Sequence, residues 1–234
     1  MTLSEVVNSM HGVIAQSPRD WSLNGYDAWI YGIFAGWGDC LDEIAERHRW
    51  DDENKKRLQE LRQALLDSLP WRWPLFEGPA DLPGLEGGFG FKRKHDIHTG
   101  VDLYTYPGMS VLAVEEGEIV AIEDFTGPKA GSPWWNDTQA VLIEGKSGVV
   151  CYGEIVTPKE MRVGDKVERE QYVGGVRTVL KEDKGKPMTM LHIELYTHGT
   201  RETVWWRHGE PKPANLLDPM EHLMASLEHV TRFR

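Results

Sequence analysis

The sequence predicts an α+β protein in which a mainly antiparallel β domain follows a helical N-terminal region and is closed by a C-terminal helix. Three observations predict this class. Residues 1–70 contain apolar residues at helical spacing, residues 88–234 carry short runs with a period of two, and helical spacing returns near the C-terminus. A connector rich in proline and glycine, residues 71–87, separates the first two parts.

The N-terminal region, residues 1–70, is predicted to be helical. Asp51 or Asp52 is placed to cap a helix that ends before Pro70. The apolar positions of this helix recur three or four residues apart and are Leu58, Leu61, Leu65 and Leu69. That spacing buries one helix face. The aromatic stretch 21–37 fits two interpretations, a helix packed on the following domain or a lip over its groove.

The connector, residues 71–87, is predicted to be extended because proline and glycine interrupt regular structure. It contains four large apolar side chains that favour burial, namely Trp71, Trp73, Leu75 and Phe76. We therefore expect the connector to run along the surface of the domain that follows it.

The third part, residues 88–234, is predicted to be a β domain because short alternating runs are bounded by glycine, proline or acidic turns. The predicted strands are Ser110–Val114, Glu118–Asp124, Gln139–Glu144, Val149–Ile155 and Met190–Tyr196. The stretch 163–176 resembles a hairpin found in small β modules. In the C-terminal helix Asp218 is the expected cap and Pro219 the first helical residue, and the apolar face is Leu216, Met220, Leu223 and Leu227.

The composition narrows the classes of partner. The 234 residues include 26 basic and 37 acidic side chains, a net charge of −11, which disfavours nucleic acid and anionic membranes as main partners. A local basic patch, Lys92 to Lys94, partly offsets this charge. Ten tryptophans fit either core packing or an aromatic-lined groove for a sugar or peptide. The oligomeric state is not indicated.

The compartment is predicted from the cysteines and the N-terminus. Cys40 and Cys151 form no C-x-x-C pair, which leaves two buried free thiols or one long-range disulfide as alternatives. The first twenty residues lack the basic and apolar segments of a secretory signal, and no apolar run is long enough to span a membrane. These features predict a cytoplasmic protein, with action outside the cell after lysis or after removal of a leader as the alternative.

The most informative stretch is HTGVD, residues 98–102, in which an imidazole and a carboxylate lie four residues apart in a turn before an apolar strand. His192 follows in the strand pattern MLHIELY. Imidazole nitrogen and carboxylate oxygen are ligands that suit zinc, and a catalytic zinc site keeps three protein ligands and one open position. His98, Asp102 and His192 are the candidate ligands.

Residues 87–223 resemble the lysostaphin/LytM-type zinc metallopeptidases, which cut peptides of bacterial cell walls. The resemblance depends on FGFKR (89–93), HTGVD (98–102), VVCYGE (149–154), VGDKVERE (163–170) and MLH (190–192), in the family's order and spacing. It implies a β metallopeptidase-like domain, zinc held by His98, Asp102 and His192, a peptide or peptidoglycan substrate, and a bacterial or phage origin. Glu154 and Met190 stand where the family has two further histidines.

Glu154 has three interpretations. It replaces the missing histidine as general base, it is a fourth ligand that closes a structural site, or it has no role in the chemistry. Met190 cannot act as a base because a thioether is only a weak acceptor. The candidates for substrate binding are Tyr104, Tyr152, Trp134 and Trp135.

Three functions are consistent with these features. The first is a zinc-dependent peptide hydrolase of the cell-wall endopeptidase type with altered catalytic residues. The second is a catalytically inactive zinc-containing homologue that binds a peptide or glycan. The third is an interaction protein whose helical N-terminal region is the working part.

Overall fold

The computed structural model describes residues 52–53, 56, 71–77, 85–183, 185 and 187–231. Residues Pro70–Leu227 form one compact unit. Residues 52, 53 and 56 are helical, and the rest of the predicted N-terminal helical region, including the aromatic stretch 21–37 and Cys40, lies outside the described residues. The domain boundaries drawn at residues 70 and 87 therefore remain predictions. In the part of the chain that is described, no helix is long and apolar enough to cross a membrane.

The described unit is built on a nine-stranded antiparallel sheet with the order β1-β8-β5-β4-β3-β6, in which β7 joins β2 to β5 and β9 pairs with β8. The strands are β1 Val101–Tyr104, β2 Ser110–Leu112, β3 Gly117–Thr126, β4 Thr138–Gly145, β5 Gly148–Val156, β6 Lys166–Val167, β7 Tyr172–Val176, β8 Met190–Tyr196 and β9 Leu216–Leu217. A C-terminal helix, α1 (Met220–Thr231), follows. The prediction of a mainly antiparallel sheet followed by a C-terminal helix is confirmed.

The core lies along the central strands β4, β5 and β8, which are buried on both faces over most of their length. One face carries a cluster of fully buried side chains, which comprises Ala140, Leu142, Val149, Cys151, Tyr196 and Leu216. Cys151 is a free, buried thiol. These strands are therefore held by apolar burial on both sides, which gives a rigid base for polar residues at their ends.

The connector packs beside β2. The backbone N–H of Leu112 donates to Pro74 O at 2.8 Å, and Leu75 pairs with Val111. Trp71, Trp73 and Leu75 are buried as expected, whereas Phe76 is 65% exposed. The prediction for Phe76 was wrong because side chains alternate along an extended segment, so residues 75 and 76 point to opposite sides.

Two further local predictions need correction. The stretch 163–176 does not form a two-stranded hairpin, because β6 pairs with β3 while β7 pairs with β2 and β5. Leu216 lies in strand β9 and not on the helix face, since it pairs with Tyr196 of β8. Asp218 does cap the helix, because its Oδ1 accepts the backbone N–H of Met220 at 2.9 Å.

Candidate metal centre

Three buried side chains meet where β1 pairs with β8. Asp102 lies directly opposite His192 in the β1–β8 register, and His98 lies three residues before the start of β1. His98 Nε2 is 3.1 Å from Asp102 Oδ1 and 3.2 Å from His192 Nδ1, and the latter is 2.8 Å from Asp102 Oδ1. The three ligand atoms form a group that could hold a metal ion. The sheet thus joins residues that are ninety positions apart in sequence.

The second nitrogen of each imidazole is engaged elsewhere. His98 Nδ1 lies 2.9 Å from the backbone oxygen of Gly88, which assigns the proton to Nδ1 and leaves a lone pair on Nε2. His192 Nε2 lies 3.1 Å from Glu194 Oε1, at ion-pair distance, although its N–H direction does not meet hydrogen-bond geometry with any described residue. The inward nitrogens, His98 Nε2 and His192 Nδ1, thus face the same point as Asp102 Oδ1, where a proton can donate to Asp102 in the metal-free protein and a lone pair can bind a cation once the proton has left.

The electrostatics of the centre favour a bound positive charge. Burial raises the pKa of Asp102, but hydrogen bonds to His192 and His98 outweigh it and hold that pKa well below its usual range. Burial lowers the pKa of His98. Burial also acts to lower the pKa of His192, but the contacts with Asp102 and Glu194 outweigh it and raise that pKa to about 10. Arg93 donates from Nη2 to Asp102 Oδ2, the oxygen that faces away from the histidines.

The donor set fits a transition metal such as zinc. Three acceptors that converge at about 3 Å repel one another unless a proton or a cation lies between them. Two imidazole nitrogens and one carboxylate oxygen form a borderline-soft set that zinc accepts in a site with an open position. The structure brings together His98, Asp102 and His192 as the resemblance implied, and their role as ligands remains a prediction.

Gly100 explains the glycine of HTGVD in physical terms. A Cβ added to Gly100 would lie 2.3 Å from Ile193 O, 2.8 Å from His192 Nε2 and 2.9 Å from Glu194 Cγ. These distances are all far below van der Waals contact, and one partner is a strand backbone that cannot rotate away. Only glycine lets the chain pass this close to β8, where the His192–Glu194 contact lies behind the candidate ligands.

Glu154 occupies a bulge at the end of the β5–β8 pairing. From Tyr152 to Ile155 strand β5 advances three residues while β4 advances two, from 141 to 139, so β5 holds one extra residue. Glu154 adopts φ 64°, a left-handed conformation that costs free energy for a residue with a side chain. Its Oε2 is buried and has no hydrogen-bond partner among the described residues. Burial raises the pKa of Glu154, and the charge of Asp102 adds to this, bringing it to about 8.

The remaining predicted residues differ in placement. The ligand group, whose atoms lie within 4.8 Å of one another, does not include an atom of Glu154. Tyr104 is partly buried and pairs with Met190, and burial followed by the charge of Asp102 raises its pKa. Tyr152 is fully buried and its hydroxyl accepts the N–H of Val114 at 2.8 Å, so it cannot contact a substrate in this fold.

The aromatic pair Trp134 and Trp135 lies in the loop between β3 and β4. Trp134 is 61% exposed and packs edge-on against the partly buried Trp135, with ring centroids 6.1 Å apart. The loop begins just beyond Phe125, whose ring centroid is 5.4 Å from that of His192. Binding of a substrate by Trp134 and Trp135 remains a prediction.

Glu194 is a functional candidate that the sequence analysis missed. Its carboxylate is buried, lies against His192 Nε2, and accepts the Tyr196 hydroxyl at 2.6 Å through Oε2. That hydroxyl also accepts the Val204 N–H at 3.2 Å. The available signal was a carboxylate two residues after His192, because residues two apart on a strand share a face. Such a partner holds a ligating imidazole in orientation.

The comparisons with known proteins give structural neighbours alone. No family model matches the chain, and no curated protein matches it. Among solved structures, the chain is similar to a protein named as a peptidase M23 from Pseudomonas aeruginosa, with 16% identity over 74% of this chain and 64% of that one, at a TM-score of 0.41. It is also similar to a zinc containing peptidase from Vibrio cholerae, with 19% identity over 54% of this chain and 36% of that one, at 0.40.

A third similar structure is lysostaphin from Staphylococcus simulans, named as an antimicrobial peptidase, with 19% identity over 59% of this chain and 48% of that one, at a TM-score of 0.40. The chain thus spans less than two thirds of the length of each of these three proteins. These three neighbours are named as an M23 peptidase, a zinc containing peptidase and lysostaphin.

Proposed function

We propose that this protein is a zinc-dependent hydrolase of peptide bonds, with Glu154 as the general base. The observation that carries the proposal is the convergence of His98 Nε2, Asp102 Oδ1 and His192 Nδ1, together with the Glu154 carboxyl group, which interacts with the charge of Asp102 and has an unpartnered oxygen, Oε2. Two imidazoles and one carboxylate leave an open position, as catalytic zinc sites do. A peptide of the kind found in bacterial cell walls is the proposed substrate.

When bound, the metal supplies Lewis acidity toward a carbonyl oxygen and lowers the pKa of a coordinated water. The chain supplies the remaining functions. Glu154 Oε2 has no partner among the described residues, and the positive charge of a bound metal would lower the raised pKa of this carboxyl group, so its carboxylate can accept a proton from a nucleophilic water. Its left-handed backbone is kept in spite of the strain, which is typical of residues whose direction matters for function.

Two further residues support the centre. Arg93 neutralises the outer oxygen of Asp102, which leaves Oδ1 for the ion. Tyr104 follows two residues after Asp102 on β1 and so shares its sheet face, where its hydroxyl can donate to a developing oxyanion. Met190, opposite Tyr104, contributes no proton chemistry and serves as an apolar neighbour.

The second candidate function is a metal-containing module that binds a peptide or glycan without cutting it. It is favoured by one observation, that Glu154 and Met190 replace both histidines expected from the resemblance. The two candidate functions share the bound metal and differ in peptide turnover, so measurements of metal content and of turnover separate them.

The first experiment measures metal per chain in protein purified without chelators. We expect about one zinc per chain, lost in His98→Ala and in His192→Ala. His198→Ala is the matched control, because His198 is an exposed loop histidine that contacts Glu144. Absence of bound metal in folded wild-type protein would contradict both candidate functions.

The second experiment measures turnover of a labelled peptide library by protein loaded with zinc. For a general base, Glu154→Gln is expected to slow turnover by about 10² to 10⁴-fold while zinc content stays unchanged. Glu118→Gln, which alters an exposed ion pair with Lys166, is the control. Cleavage at the wild-type rate in Glu154→Gln would remove Glu154 from the mechanism, and zinc without any cleavage would favour the binding module.

A further inference from the structure

A pocket separate from the metal centre lies at the junction of the loop after β1, the end of β5 and strand β7. Its volume is about 570 Å³, within the range of about 300–1,000 Å³ that is typical of small-molecule sites. None of the three candidate ligands lines it, so it is distinct from the metal centre. It begins at Val156, two residues beyond Glu154 on the same strand, and so adjoins the strand end that carries the proposed base.

The floor of this pocket is open backbone. Gly175 of β7 pairs directly with Val156 of β5. An added Cβ at Gly175 would meet Tyr172 Oη at 3.4 Å and Gly108 O at 3.9 Å, both ordinary contacts. A ligand can therefore approach the Gly175 backbone closely. Val156 and Tyr172 are 44% and 47% exposed, so apolar and aromatic surface faces the same space.

Two charges of opposite sign line the pocket. Arg177 and Glu160 are exposed, and neither forms an ion pair with any residue in the described part of the chain. The backbone of Arg177 is fixed, because its N–H donates to Glu154 O at 2.9 Å. A guanidinium group favours a carboxylate, and a carboxylate favours an ammonium group.

We propose that this pocket binds a short peptide with both termini free, with its carboxylate at Arg177, its ammonium group at Glu160 and a side chain against Tyr172. The assignment of the ligand to the peptide class rests on the proposed function. Binding itself requires no metal, because the pocket and the metal centre share no lining residue. Such a peptide is the kind of product that a peptide hydrolase releases.

The test is calorimetric titration of the full chain, freed of metal by chelation, with three probes: alanyl-tyrosine, its N-acetyl form and its C-terminal amide. We expect saturable binding of the free dipeptide. Each blocked terminus should weaken binding about tenfold or more, the scale of one charge-assisted hydrogen bond. In Glu160→Gln the N-acetyl dipeptide should bind with the same affinity as the free dipeptide. In Arg177→Gln the C-terminal amide should bind with the same affinity as the free dipeptide.

Gly175→Val provides an independent test, because its side chain would fill the floor of the pocket without the clash of a positive φ. We expect this variant to lose dipeptide binding while its circular dichroism spectrum stays unchanged. Lys166→Gln, an exposed charge change on β6, should bind as wild type does. If Gly175→Val does not fold, the two charge variants decide the matter alone.

Three results would overturn the proposal: no saturable binding of alanyl-tyrosine, equal binding of all three probes, or an acetyl penalty that persists in Glu160→Gln. Because the titration uses metal-free protein, its outcome is independent of whether the metal centre is catalytic. A protein without turnover that still binds the dipeptide would refute the proposed hydrolase and keep the pocket assignment.

Discussion

Gly100→Ala tests whether the candidate metal centre depends on the close approach of the HTGVD turn to β8. The added Cβ would lie 2.3 Å from Ile193 O, whereas ordinary contact begins at 3.4 Å, a shortfall of 1.1 Å. The obstructing atom belongs to a strand backbone, so β1 and β8 must separate by about 1 Å. We place the loss in unfolding free energy at about 3 kcal/mol, the upper end of the usual range for overpacking.

Two measurements follow from this displacement. For a domain of this size, about 3 kcal/mol corresponds to a fall in Tm of about 6–12 °C. Gly100 lies between His98 and Asp102, and metal sites tolerate distance changes of only about 0.2 Å, so zinc affinity should fall by at least about tenfold. Both quantities are accessible, the first by thermal unfolding of metal-free protein and the second by competition with a chromogenic chelator.

Gly175→Ala is the matched control for this substitution. Its Cβ meets the nearest described atoms at 3.4 Å or more, and its φ is outside the left-handed region, so alanine should leave the unfolding free energy unchanged or raise it by up to about 1 kcal/mol. If Gly100→Ala were as stable as Gly175→Ala and bound zinc as the wild type does, the steric account of the turn would be refuted.

Two further predictions concern the carboxylates around the centre. Glu194→Gln keeps the shape of the side chain but removes the charge beside His192 Nε2, so zinc affinity should fall about 10- to 100-fold with an unchanged circular dichroism spectrum, and full retention of affinity would contradict the orienting role. In metal-free protein, Glu154 has a pKa of about 8 in the folded state, whereas its ordinary pKa in the unfolded chain is 4.5. Between these two pH values the folded state keeps a proton that the unfolded chain has released, so this group's contribution to the unfolding free energy falls as pH rises across that window. The Tm of Glu154→Gln relative to wild type should therefore increase from about pH 5 to about pH 8 in the presence of chelator, and a constant difference would show that this carboxyl group is not buried as described.

The side chains of the metal centre are brought together partly by local chain geometry and partly by pairing of distant strands. His98 and Asp102 are close in sequence and are held by one turn and the start of β1, whereas His192 is brought to them by strand pairing. The bulge in β5 then brings a strained residue, Glu154, to the same region. Loss of the β1–β8 pairing would separate the ligands, so metal binding and folding of this sheet edge should be coupled.

The strand pattern could be predicted because period-two alternation is a local property of the chain. Strand β8 was predicted with its observed bounds, and the other four predicted strands agree with β2, β3, β4 and β5 within two residues at each end. The proximity of His98 to Asp102 also follows locally, since a four-residue spacing in a turn keeps two side chains near each other. His192 was added as a third candidate ligand from its place in a strand pattern and from the family resemblance, because spacing along the chain does not bring it to the other two.

Other features depended on the tertiary structure. Leu216 has helical spacing with Leu223, but pairing with β8 draws it into a strand. Tyr152 is an aromatic residue of the kind that lines binding grooves, yet it is fully buried in the core and its hydroxyl accepts the Val114 N–H. Glu194 shares a strand face with His192 by sequence, but its burial could not be predicted, because a glutamate in a strand is usually solvent-exposed and the neighbours that bury it come from other strands.

The sequence by itself determined the β class of the described unit, the location of most of its strands and the candidate ligand types. Only the tertiary structure decided which face of each strand is buried, where β5 carries its extra residue, and why Gly100 must be glycine. The physical reason is that alternation and spacing are set within a few residues, whereas register, bulges and close backbone contacts depend on atoms that strand pairing brings from distant parts of the chain.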